Sequence, residues 1–332
     1  MKRKTTKKFL ITGGAGFIGF HLAHRILREP DAEVILVDNF RRGQLDRGLK
    51  KLLDHGRTQF IECDLSDRGA VLALPRAHVV FHLAAVVGVQ NVVSSPGEVL
   101  RTNVLGAFNC LDYVRGLPDC ERLVFSSTSE VYAGALAEYG IKIPTPEITP
   151  LVISNLKKPR GTYAVSKMVG EMAMLMEALA GDLQVTVVRY HNIYGPRMGL
   201  SHVIPEMIVK CCNGGAVAVA SPDHTRAFCF ITDAVDATLA LSKAAHASGE
   251  IYNIGNPQEE IKIWELAMRI NAMCKARAQL ERGGVTPGSP ERRSPDIAKL
   301  TATTGFTPKV PLEEGLYQTL DWYSREIGIG VN

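Results

Sequence analysis

The chain has no stretch that approaches the roughly 18 uninterrupted apolar residues needed to cross a membrane. Its basic beginning, residues 1–8, is not followed by an apolar segment, so neither a signal peptide nor a membrane anchor is expected. Acidic and basic residues nearly balance, and the net charge of +4 gives no sign of a nucleic-acid partner. These absences predict a cytoplasmic protein that binds neither nucleic acid nor a membrane.

Cysteine is present but lacks the arrangements that give it structural chemistry. The chain has seven cysteines, an odd number, and none of them forms a C-x-x-C pair. His, Cys, Asp and Glu do not recur at metal-ligand spacing either, so no metal site is predicted. The sequence therefore predicts reduced thiols that mostly fill the core, at Cys63, Cys110, Cys120, Cys211, Cys212, Cys229 and Cys274.

The composition is that of an ordinary globular protein, with 46% hydrophobic and 22% charged residues among 332. Over the first 190 residues, apolar strand candidates alternate with helical stretches. Strands this apolar, separated by helices, indicate an α/β fold with a doubly wound parallel (Rossmann) sheet covered on both faces. The predicted strands are Lys8–Thr12, Glu33–Asp38, Gln59–Glu62, His78–Leu83, Arg122–Ser126 and Gln184–Tyr190, and the predicted helices lie around residues 17–28, 66–73, 98–116 and 163–180.

The pattern changes after residue 191, where Gly and Pro become frequent and the strands shorten. The segment Arg282–Pro295 has the composition of an ordered loop or a lid. We therefore predict a smaller, mixed C-terminal domain that binds the substrate. In this division the domain of the parallel sheet comprises residues 1–190 and 228–250, and the substrate domain comprises residues 191–227 and 251–332. Helices are predicted at Ile204–Cys212, Asp233–Ala245, Ile263–Lys275 and Leu312–Arg325.

The most informative stretch is FLITGGAGFIGF, in which an apolar strand leads through a glycine turn into a helix. Gly14, Gly16 and Gly19 have the spacing G-x-G-x-x-G, and Gly13 extends the match to a wider variant. Such a turn binds the pyrophosphate of a dinucleotide at the positive N-terminus of the helix. Asp38 ends the next strand, where its carboxylate can accept hydrogen bonds from the adenosine ribose and repel a 2′-phosphate. The expected cofactor is therefore NAD rather than NADP.

Two further motifs carry chemistry: SSTSEVY at the end of a predicted strand and YAVSK at the start of a predicted helix. Tyr163 and Lys167 are four residues apart and share a helix face. We expect the nearby ammonium to favour the phenolate and to lower the pKa of Tyr163. Such a tyrosine can take a proton from a sugar hydroxyl while hydride leaves the same carbon for NAD⁺. Ser or Thr at the strand end can hydrogen-bond that hydroxyl.

Together these motifs resemble those of the extended short-chain dehydrogenases/reductases that act as nucleotide-sugar epimerases, dehydratases and decarboxylases. The resemblance covers nearly the whole chain. It implies NAD as the cofactor and a catalytic set of Thr128, Glu130, Tyr163 and Lys167. It also implies a cofactor site formed by Gly13, Gly16, Phe17, Ile18, Gly19, Asp38, Asn39, Asp64, Leu65, Leu83, Ala84, Ala85, Asn103, Tyr163 and Lys167.

The second half of the resemblance implies a substrate site. RYHNIYGPR is similar to the segment that turns from the sheet into the sugar-nucleotide domain, and TRAF to a segment whose Arg binds the diphosphate. RRSPD is similar to an Arg-x-Pro-Asp element that is prominent in UDP-glucuronate decarboxylases. The substrate, expected to be a UDP-sugar, would be bound by Asn192, Arg197, Arg226 and Arg292. Arg226 and one of Arg292 or Arg293 would lie on the diphosphate or on the sugar ring side.

Within this group the resemblance implies a shared first step, in which Tyr163 removes the C4 hydroxyl proton and hydride passes to a tightly held NAD⁺. The 4-keto sugar then epimerises, loses water or loses carbon dioxide. If the segment after Thr128 stays extended, Glu130 faces the same side. A partly desolvated Glu130 with a raised pKa could exchange protons with C5, which a simple 4-epimerase does not need. The sequence therefore favours a lyase, either a UDP-glucuronate decarboxylase or an NDP-sugar 4,6-dehydratase, over a UDP-sugar 4-epimerase.

Two rival interpretations come from other classes of protein: an inert NAD(H)-binding regulator on the same fold, and a reductase that consumes NAD(P)H. Intact catalytic residues argue against the regulator. The Met-rich helix 163–180 and the helix 98–116 resemble those through which family members dimerise, so we expect a homodimer. His191 is expected to be a hydrogen-bonded core or cleft residue. The connection 133–160 has the length of a lid or a specificity element.

Overall fold

A parallel sheet forms the centre of the chain because its strands are apolar on both faces and helices cover each face. The computed structural model describes residues 6–181 and 183–329, so most of the predicted basic tail, residues 1–5, lies outside the described residues. The strands are β1 (Lys7–Thr12), β2 (Ala32–Asp38), β3 (Thr58–Glu62), β4 (Val79–His82), β5 (Arg122–Thr128), β6 (Val185–Tyr190), β7 (Ile193–Tyr194), β8 (Ala216–Val219), β9 (Thr225–Ala227), β10 (Cys229–Phe230), β11 (Glu250–Ile254), β12 (Glu260–Lys262), β13 (Gln279–Arg282) and β14 (Arg292–Arg293).

The helices connect these strands and pack on them. They are α1 (Phe17–Ile26), α2 (Arg47–Leu53), α3 (Arg68–Leu72), α4 (Val89–Ser94), α5 (Pro96–Arg115), α6 (Ala133–Tyr139), α7 (Thr162–Ala180), α8 (Val203–Cys212), α9 (Ile231–Lys243), α10 (Ile263–Met273), α11 (Ala298–Thr304) and α12 (Leu312–Ile327). Short 3₁₀ turns occur at Ser129–Tyr132, Pro159–Gly161, Ala245–Ala247 and Pro257–Glu259. Within the two described ranges, no helix combines the length and apolarity that crossing a bilayer requires.

The strand order of the main sheet is β11-β6-β5-β4-β1-β2-β3, and all of its pairs are parallel. Phe9 and Ile11 point into the hydrophobic core on one face, and Leu10 points into the core on the other. The predicted doubly wound sheet and its six strands are confirmed. The order reverses between β1 and β4, and ligands of such sheets bind at the carboxyl ends of the strands next to this switch point.

The seventh strand, β11, was not predicted. It pairs with β6 at the edge of the main sheet, with Tyr252 opposite Val188. The five residues after Gly249, EIYNI, form a short segment of mixed polarity, so a search for apolar runs does not find this strand. The strand continues to Ile254, beyond the predicted boundary at residue 250. The division into two domains stays a prediction.

The expectation that all cysteines are reduced is wrong for one pair. Cys212 ends α8 and Cys274 directly follows α10, and these helices pack together, so the Cα atoms are 4.9 Å apart and the sulfurs form a disulfide. The two residues are 62 apart in sequence and belong to no local motif, so only the tertiary fold reveals the pair. The other five cysteines are free, and four of them are buried.

Helix α7 lies unusually close to β5 at one glycine. A Cβ added to Gly170 would lie 2.4 Å from Cζ of Phe125, so the glycine allows the helix to approach the strand. The ring of Phe125 also lies 5.0 Å from Nζ of Lys167, one turn earlier on the same helix. This contact therefore sets the distance between the strand and the helix that carry the predicted catalytic residues.

We predict that Gly170→Ala lowers the free energy of unfolding by about 1–3 kcal/mol, the usual cost of overpacking a core. The added methyl group must displace the ring of Phe125, which is 1% exposed and has no free space to enter. Chemical denaturation of the variant and the wild-type chain measures the difference.

Gly97→Ala is the matched control, because Gly97 lies in the first turn of α5 with nothing within 4 Å of the added Cβ. Its unfolding free energy should stay level or rise by up to about 1 kcal/mol. Equal losses in both variants would contradict the close-approach explanation.

Candidate active site

The glycine turn between β1 and α1 provides a cradle for a dinucleotide. Gly13 has a φ of +71°, and a Cβ on Gly19 would lie 2.3 Å from the carbonyl oxygen of Gly13. Gly16 precedes α1, whose predicted cofactor residues Phe17 and Ile18 form the first turn, and no side chain caps this helix. An uncapped N-terminus packed this closely against the sheet fits the pyrophosphate of NAD.

The carboxyl end of β2 fits the adenosine ribose. Asp38 accepts hydrogen bonds from the N–H groups of Ala15 (3.0 Å) and Phe40 (2.8 Å), which holds its carboxylate beside the glycine turn. Burial raises the pKa of Asp38, and these N–H groups oppose the rise. Asn39 donates to Asp64 at 3.3 Å, so the structure brings together the residues predicted at this end of the cofactor site.

The end of β4 reaches the same cradle. The N–H of Leu83 bonds to the Thr12 carbonyl, and the N–H of Ala84 to the Thr12 hydroxyl. Asn103 bonds to both the N–H (2.7 Å) and the carbonyl (3.0 Å) of Val86 and donates to the hydroxyl of Ser166 at 3.1 Å. The amide of Asn103 thus ties the segment after β4 to α7, and its predicted cofactor contact stays a prediction. Ala85 lies partly buried in this segment, as Leu65 does after β3.

The predicted catalytic pair lies at the start of α7, beside the end of β5. Lys167 is 3% exposed, and its ammonium donates to the carbonyl of Ser126 at 2.8 Å. Burial lowers the pKa of Lys167 to about 8. The hydroxyl of Tyr163 is hydrogen-bonded to Thr128.

The predicted lowering of the pKa of Tyr163 is wrong for this arrangement. Burial raises this pKa, and the nearby Glu130 carboxylate raises it further. The Arg42 guanidinium and the bond to Thr128 oppose the rise but are weaker than the desolvation. Lys167 is directed at a main-chain carbonyl and does not compensate.

The segment after Thr128 is not extended, contrary to the prediction. It turns at once into the 3₁₀ turn Ser129–Tyr132, because the hydroxyl of Thr128 accepts a hydrogen bond from the N–H of Glu130 at 3.2 Å. Capping by a Thr side chain favours this turn over a longer strand. Glu130 nevertheless comes close enough to Tyr163 to influence its ionisation.

Glu130 forms an ion pair with Arg293, whose Nη1 lies 2.7 Å from Oε1 of Glu130. This guanidinium lowers the pKa of Glu130, with weaker help from Arg160 and Arg226, although burial acts in the opposite direction. The predicted rise in the pKa of Glu130 is therefore wrong. The carboxylate is ionised at neutral pH, which suits a proton acceptor better than a proton donor.

Of the two adjacent arginines, Arg293 faces the site and Arg292 does not. Arg292 forms a bidentate surface pair with Glu260, at 2.7 and 2.9 Å. Successive residues of a strand point to opposite faces, and both belong to β14, so only one of them can face Glu130. Arg293 is therefore the arginine of the two that contacts Glu130, and the predicted substrate contact of Arg292 stays a prediction.

Arg226 lies near the ion pair of Glu130 and Arg293, and Asn192 is bonded to the residue after Arg226. Arg226 donates to the hydroxyl of Ser289 at 2.7 Å, and burial, reinforced by Arg293, lowers its pKa to about 10. Asn192 donates to the carbonyl of Ala227, the residue after Arg226. Arg160, on the 3₁₀ turn before α7, adds a further guanidinium, which the sequence analysis missed because it matches no motif.

Arg197 lies beside the glycine turn between β1 and α1. Its guanidinium bonds to Asp46 at 2.5 Å and to the carbonyls of Ala15 and Gly16 at 3.0 Å each, and it stacks over the ring of Phe20. These partners lie in the glycine turn, on α1 and in the loop before α2. Arg197 therefore bonds directly to the turn that is predicted to bind the cofactor, and its predicted substrate contact stays a prediction.

No group of three His, Cys, Asp or Glu residues in the described part of the chain is placed to hold a metal ion. The candidate site is thus built from a dinucleotide cradle, a Thr–Tyr–Lys group and a charged cluster around Glu130.

Residues 9–255 match the model of the "NAD dependent epimerase/dehydratase family". A UDP-N-acetyl-alpha-D-glucosaminuronate decarboxylase from Bacillus cytotoxicus is 35% identical over 97% of this chain and 98% of its own. UDP-glucuronic acid decarboxylase 6 from Arabidopsis thaliana is 31% identical over 94% of this chain and 88% of its own. DesIV, a dTDP-glucose 4,6-dehydratase from Streptomyces venezuelae solved with NAD bound, is similar with a TM-score of 0.82 and 26% identity, covering 97% of this chain and 98% of that chain.

We predict that Arg197→Ala weakens NAD binding and leaves nucleotide-sugar binding nearly unchanged. Removal of the guanidinium leaves Asp46 and two turn carbonyls without their donor, at a cost of about 1–3 kcal/mol. If the whole of this cost weakens the free energy of NAD binding, the affinity for NAD drops roughly 5- to 150-fold. Isothermal titration of the cofactor-free protein measures both affinities.

Arg47→Ala, which removes an exposed guanidinium from the first position of α2, is the control and should bind NAD normally. A raised KM for the sugar nucleotide with unchanged NAD affinity would instead support the predicted substrate role of Arg197.

Proposed function

The chain belongs to the NAD-dependent epimerase/dehydratase family, and we propose that within it the protein is a lyase that removes carbon dioxide from a UDP-linked hexuronic acid. It is an enzyme that modifies a nucleotide sugar through transient oxidation at C4. Relatives named as decarboxylases of UDP-glucuronate and of UDP-N-acetylglucosaminuronate, similar over almost the full chain, support the choice within the family.

The observation that carries the proposal is the convergence of three guanidinium groups on one carboxylate. Arg293, Arg226 and Arg160 all act on Glu130, and three positive charges with one negative charge leave a net charge of +2. Arg293 contacts Glu130 directly and is 15% exposed, whereas Arg226 is partly buried and Arg160 is exposed, and an anion that enters the site would balance part of this positive excess. A neutral hexose offers only its diphosphate, whereas a hexuronate adds a carboxylate at C6.

NAD is the proposed cofactor, held by the glycine turn at Gly13–Gly19 and by Asp38. Bound NAD⁺ supplies the hydride acceptor. The tight packing of the turn and the position of the Asp38 carboxylate support this choice. The solved dehydratase with NAD bound and the dependence of the family on NAD support it as well.

The chain's own residues provide the proton chemistry. Tyr163 takes the proton of the C4 hydroxyl, and Thr128, already hydrogen-bonded to Tyr163, orients the sugar oxygen. The resulting C4 ketone lies β to the C6 carboxylate. The electron pair of the C5–C6 bond can therefore move to the C4 oxygen as carbon dioxide leaves. A proton must then be added at C5, next to which we place Glu130; because its carboxylate is ionised, it must first take up a proton from water before it can deliver one there. C4 would be reduced again at the end, so that the cofactor is not consumed.

The runner-up is a 4,6-dehydratase, because an ionised Glu130 could also remove the C5 proton. The 4-epimerase is less favoured, since it needs no carboxylate such as Glu130 beside C5, although the diphosphate of its substrate would still use Arg226. An inert NAD(H)-binding regulator would not need the buried Lys167 or the bond between Thr128 and Tyr163. Incubation with UDP-glucuronate, UDP-N-acetylglucosaminuronate, UDP-glucose and dTDP-glucose, followed by mass spectrometry, separates these functions.

We expect the uronates to lose the mass of carbon dioxide and the neutral sugars to be unchanged. Loss of the mass of water from dTDP-glucose would establish the dehydratase instead. An altered product of unchanged mass would establish the epimerase.

Glu130→Gln tests the step after oxidation. We predict that the variant loses turnover by roughly 10²–10⁴, the usual range for a lost acid–base group. Oxidation at C4 should still proceed, so the absorbance of the reduced nicotinamide should rise and persist. Full activity with unchanged product mass would overturn the lyase proposal.

Tyr163→Phe is the matched comparison, because it removes the proton acceptor of the first step. Its turnover should fall by a similar factor, but without any rise in the absorbance of the reduced nicotinamide. Accumulation of reduced cofactor in this variant would mean that another group takes the C4 proton.

We propose a homodimer formed through the exposed face of α7. Met172, Met176 and Leu179 are 67%, 49% and 75% exposed, and Phe108 on the neighbouring α5 is 45% exposed. Apolar side chains this exposed on adjacent helices suit an isologous interface. Light scattering should give twice the chain mass for the wild type and the single chain mass for Met172→Glu; a monomeric wild type would contradict the proposal.

A further inference from the structure

The side chain of Asn253 lies at the centre of a buried polar network outside the catalytic group. It is the fourth residue of β11 and is 0% exposed. Its Nδ2 donates to the carbonyls of Thr145 (2.9 Å) and Asp296 (3.1 Å). Its Oδ1 lies 3.0 Å from the hydroxyl of Tyr132 and 3.0 Å from Nε2 of His191.

These partners determine which atom carries each proton of the network. Main-chain carbonyls only accept, so the amide of Asn253 must direct its nitrogen at them and its oxygen at Tyr132 and His191. Tyr132 accepts a hydrogen bond from Arg189 at 2.7 Å and therefore donates its own proton to Asn253. His191 must likewise carry its proton on Nε2. Burial lowers the pKa of His191 to about 3, so this histidine is neutral throughout the functional pH range.

Two of these partners lie on the segments that carry Glu130 and Arg293. Tyr132 follows Glu130 by two residues in the same 3₁₀ turn. Asp296 follows Arg293 by three residues in the chain. A single side chain thus joins the two segments that present Glu130 and Arg293.

The long connection between β5 and α7 closes this network. Thr145 donates its N–H to the carbonyl of Ser294 and accepts from the N–H of Asp296, both at 2.9 Å. Asn253 bonds to the same Thr145 carbonyl, and its own N–H donates to the Glu147 carboxylate at 2.8 Å. The segment after Arg293 is therefore held from one side by the connection and from the other by Asn253.

We propose that Asn253 is a positioning residue for the ion pair between Glu130 and Arg293. It touches neither Glu130 nor Arg293, and it acts by fixing the two segments at the separation that the 2.7 Å contact requires. This role rests on the proposed function for its significance in catalysis, but the geometry that it maintains can be measured without substrate.

Loss of this restraint should change the ionisation of Glu130. The charged and titratable groups that face Glu130 are Arg293, Arg160, Arg226 and Tyr163. Arg293 has the largest effect and lowers the pKa. If Arg293 moves away, the pKa of Glu130 must rise, because burial then acts with less opposition.

The test variant is Asn253→Ser, which removes both amide donors without introducing a charge. We expect the pKa of Glu130 to rise by roughly one unit, as for loss of a close opposite charge. Carboxyl-carbon NMR of glutamate-labelled protein measures it, with the Glu130 signal assigned from its absence in Glu130→Gln. The acid limb of the pH profile of kcat/KM should move to higher pH by the same amount.

Asn256→Ser is the matched control. Asn256 is also buried, at 4% exposure, and its Oδ1 accepts from the N–H of Gln258, a bond that a serine hydroxyl can retain without adding a charge. This variant should leave the pKa of Glu130 unchanged. An equal rise in both variants would show general loosening and would overturn the proposal, as would a folded Asn253→Ser with an unaltered pKa.

If Asn253→Ser does not fold, Tyr132→Phe is the second test variant. It removes the hydrogen bond from Tyr132 to Asn253 and keeps the aromatic ring in place. A raised pKa of Glu130 in this variant supports the proposal, and an unchanged pKa overturns it. Because the NMR titration needs no substrate, failure of the decarboxylase proposal would appear separately, as wild-type protein that releases no carbon dioxide.

Discussion

The ion pair between Glu130 and Arg293 is the constraint on which the rest of the candidate site depends. The two residues are 163 positions apart, one at the end of a central strand and the other on the small strand β14. Their contact ties the main sheet to the C-terminal part of the chain, across the site. A half-buried pair of this kind is favourable only when its geometry is held by other bonds. The surrounding network provides those bonds.

A second, deeper ion pair stabilises the same region from behind. Arg189 and Glu171 are 2% and 4% exposed in their side chains and make two hydrogen bonds, at 2.8 and 2.6 Å. Arg189 also donates to Tyr132 and to the carbonyl of Glu147. Desolvation of a buried pair is costly, and satisfaction of nearly every donor is what makes it tolerable. The pair links β6 with α7, one turn beyond Lys167, so it helps to orient the catalytic helix.

The sequence predicted those features that local pattern determines. The glycine turn, six strands and the shared face of Tyr163 and Lys167 each depend on residues within about ten positions of one another. The disulfide and the clamp formed by Arg197 depend on segments that only the tertiary fold brings together.

The errors in the ionisation of the site have the same origin. The pKa of Glu130 is lowered, not raised, because its arginine partner comes from a distant segment. The pKa of Tyr163 is raised because α7 buries it against β5 and Lys167 turns to Ser126. Residue type and spacing indicate which groups meet, but the sign of a pKa shift depends on which neighbour comes closest.

The candidate site consequently has two electrostatic halves. Tyr163 and Lys167 lie where burial favours their neutral forms, whereas Glu130 and Arg293 are both charged. An anionic substrate gains most from the charged half, where arginines outnumber carboxylates. Proton transfer from a sugar hydroxyl requires the other half, in which the Lys167 ammonium, with its pKa lowered to about 8, lies on the same helix as Tyr163. The fold keeps these tasks apart by placing Arg293 on β14 and Tyr163 and Lys167 on α7, while Thr128 at the end of β5 and Glu130 in the turn after it lie between them.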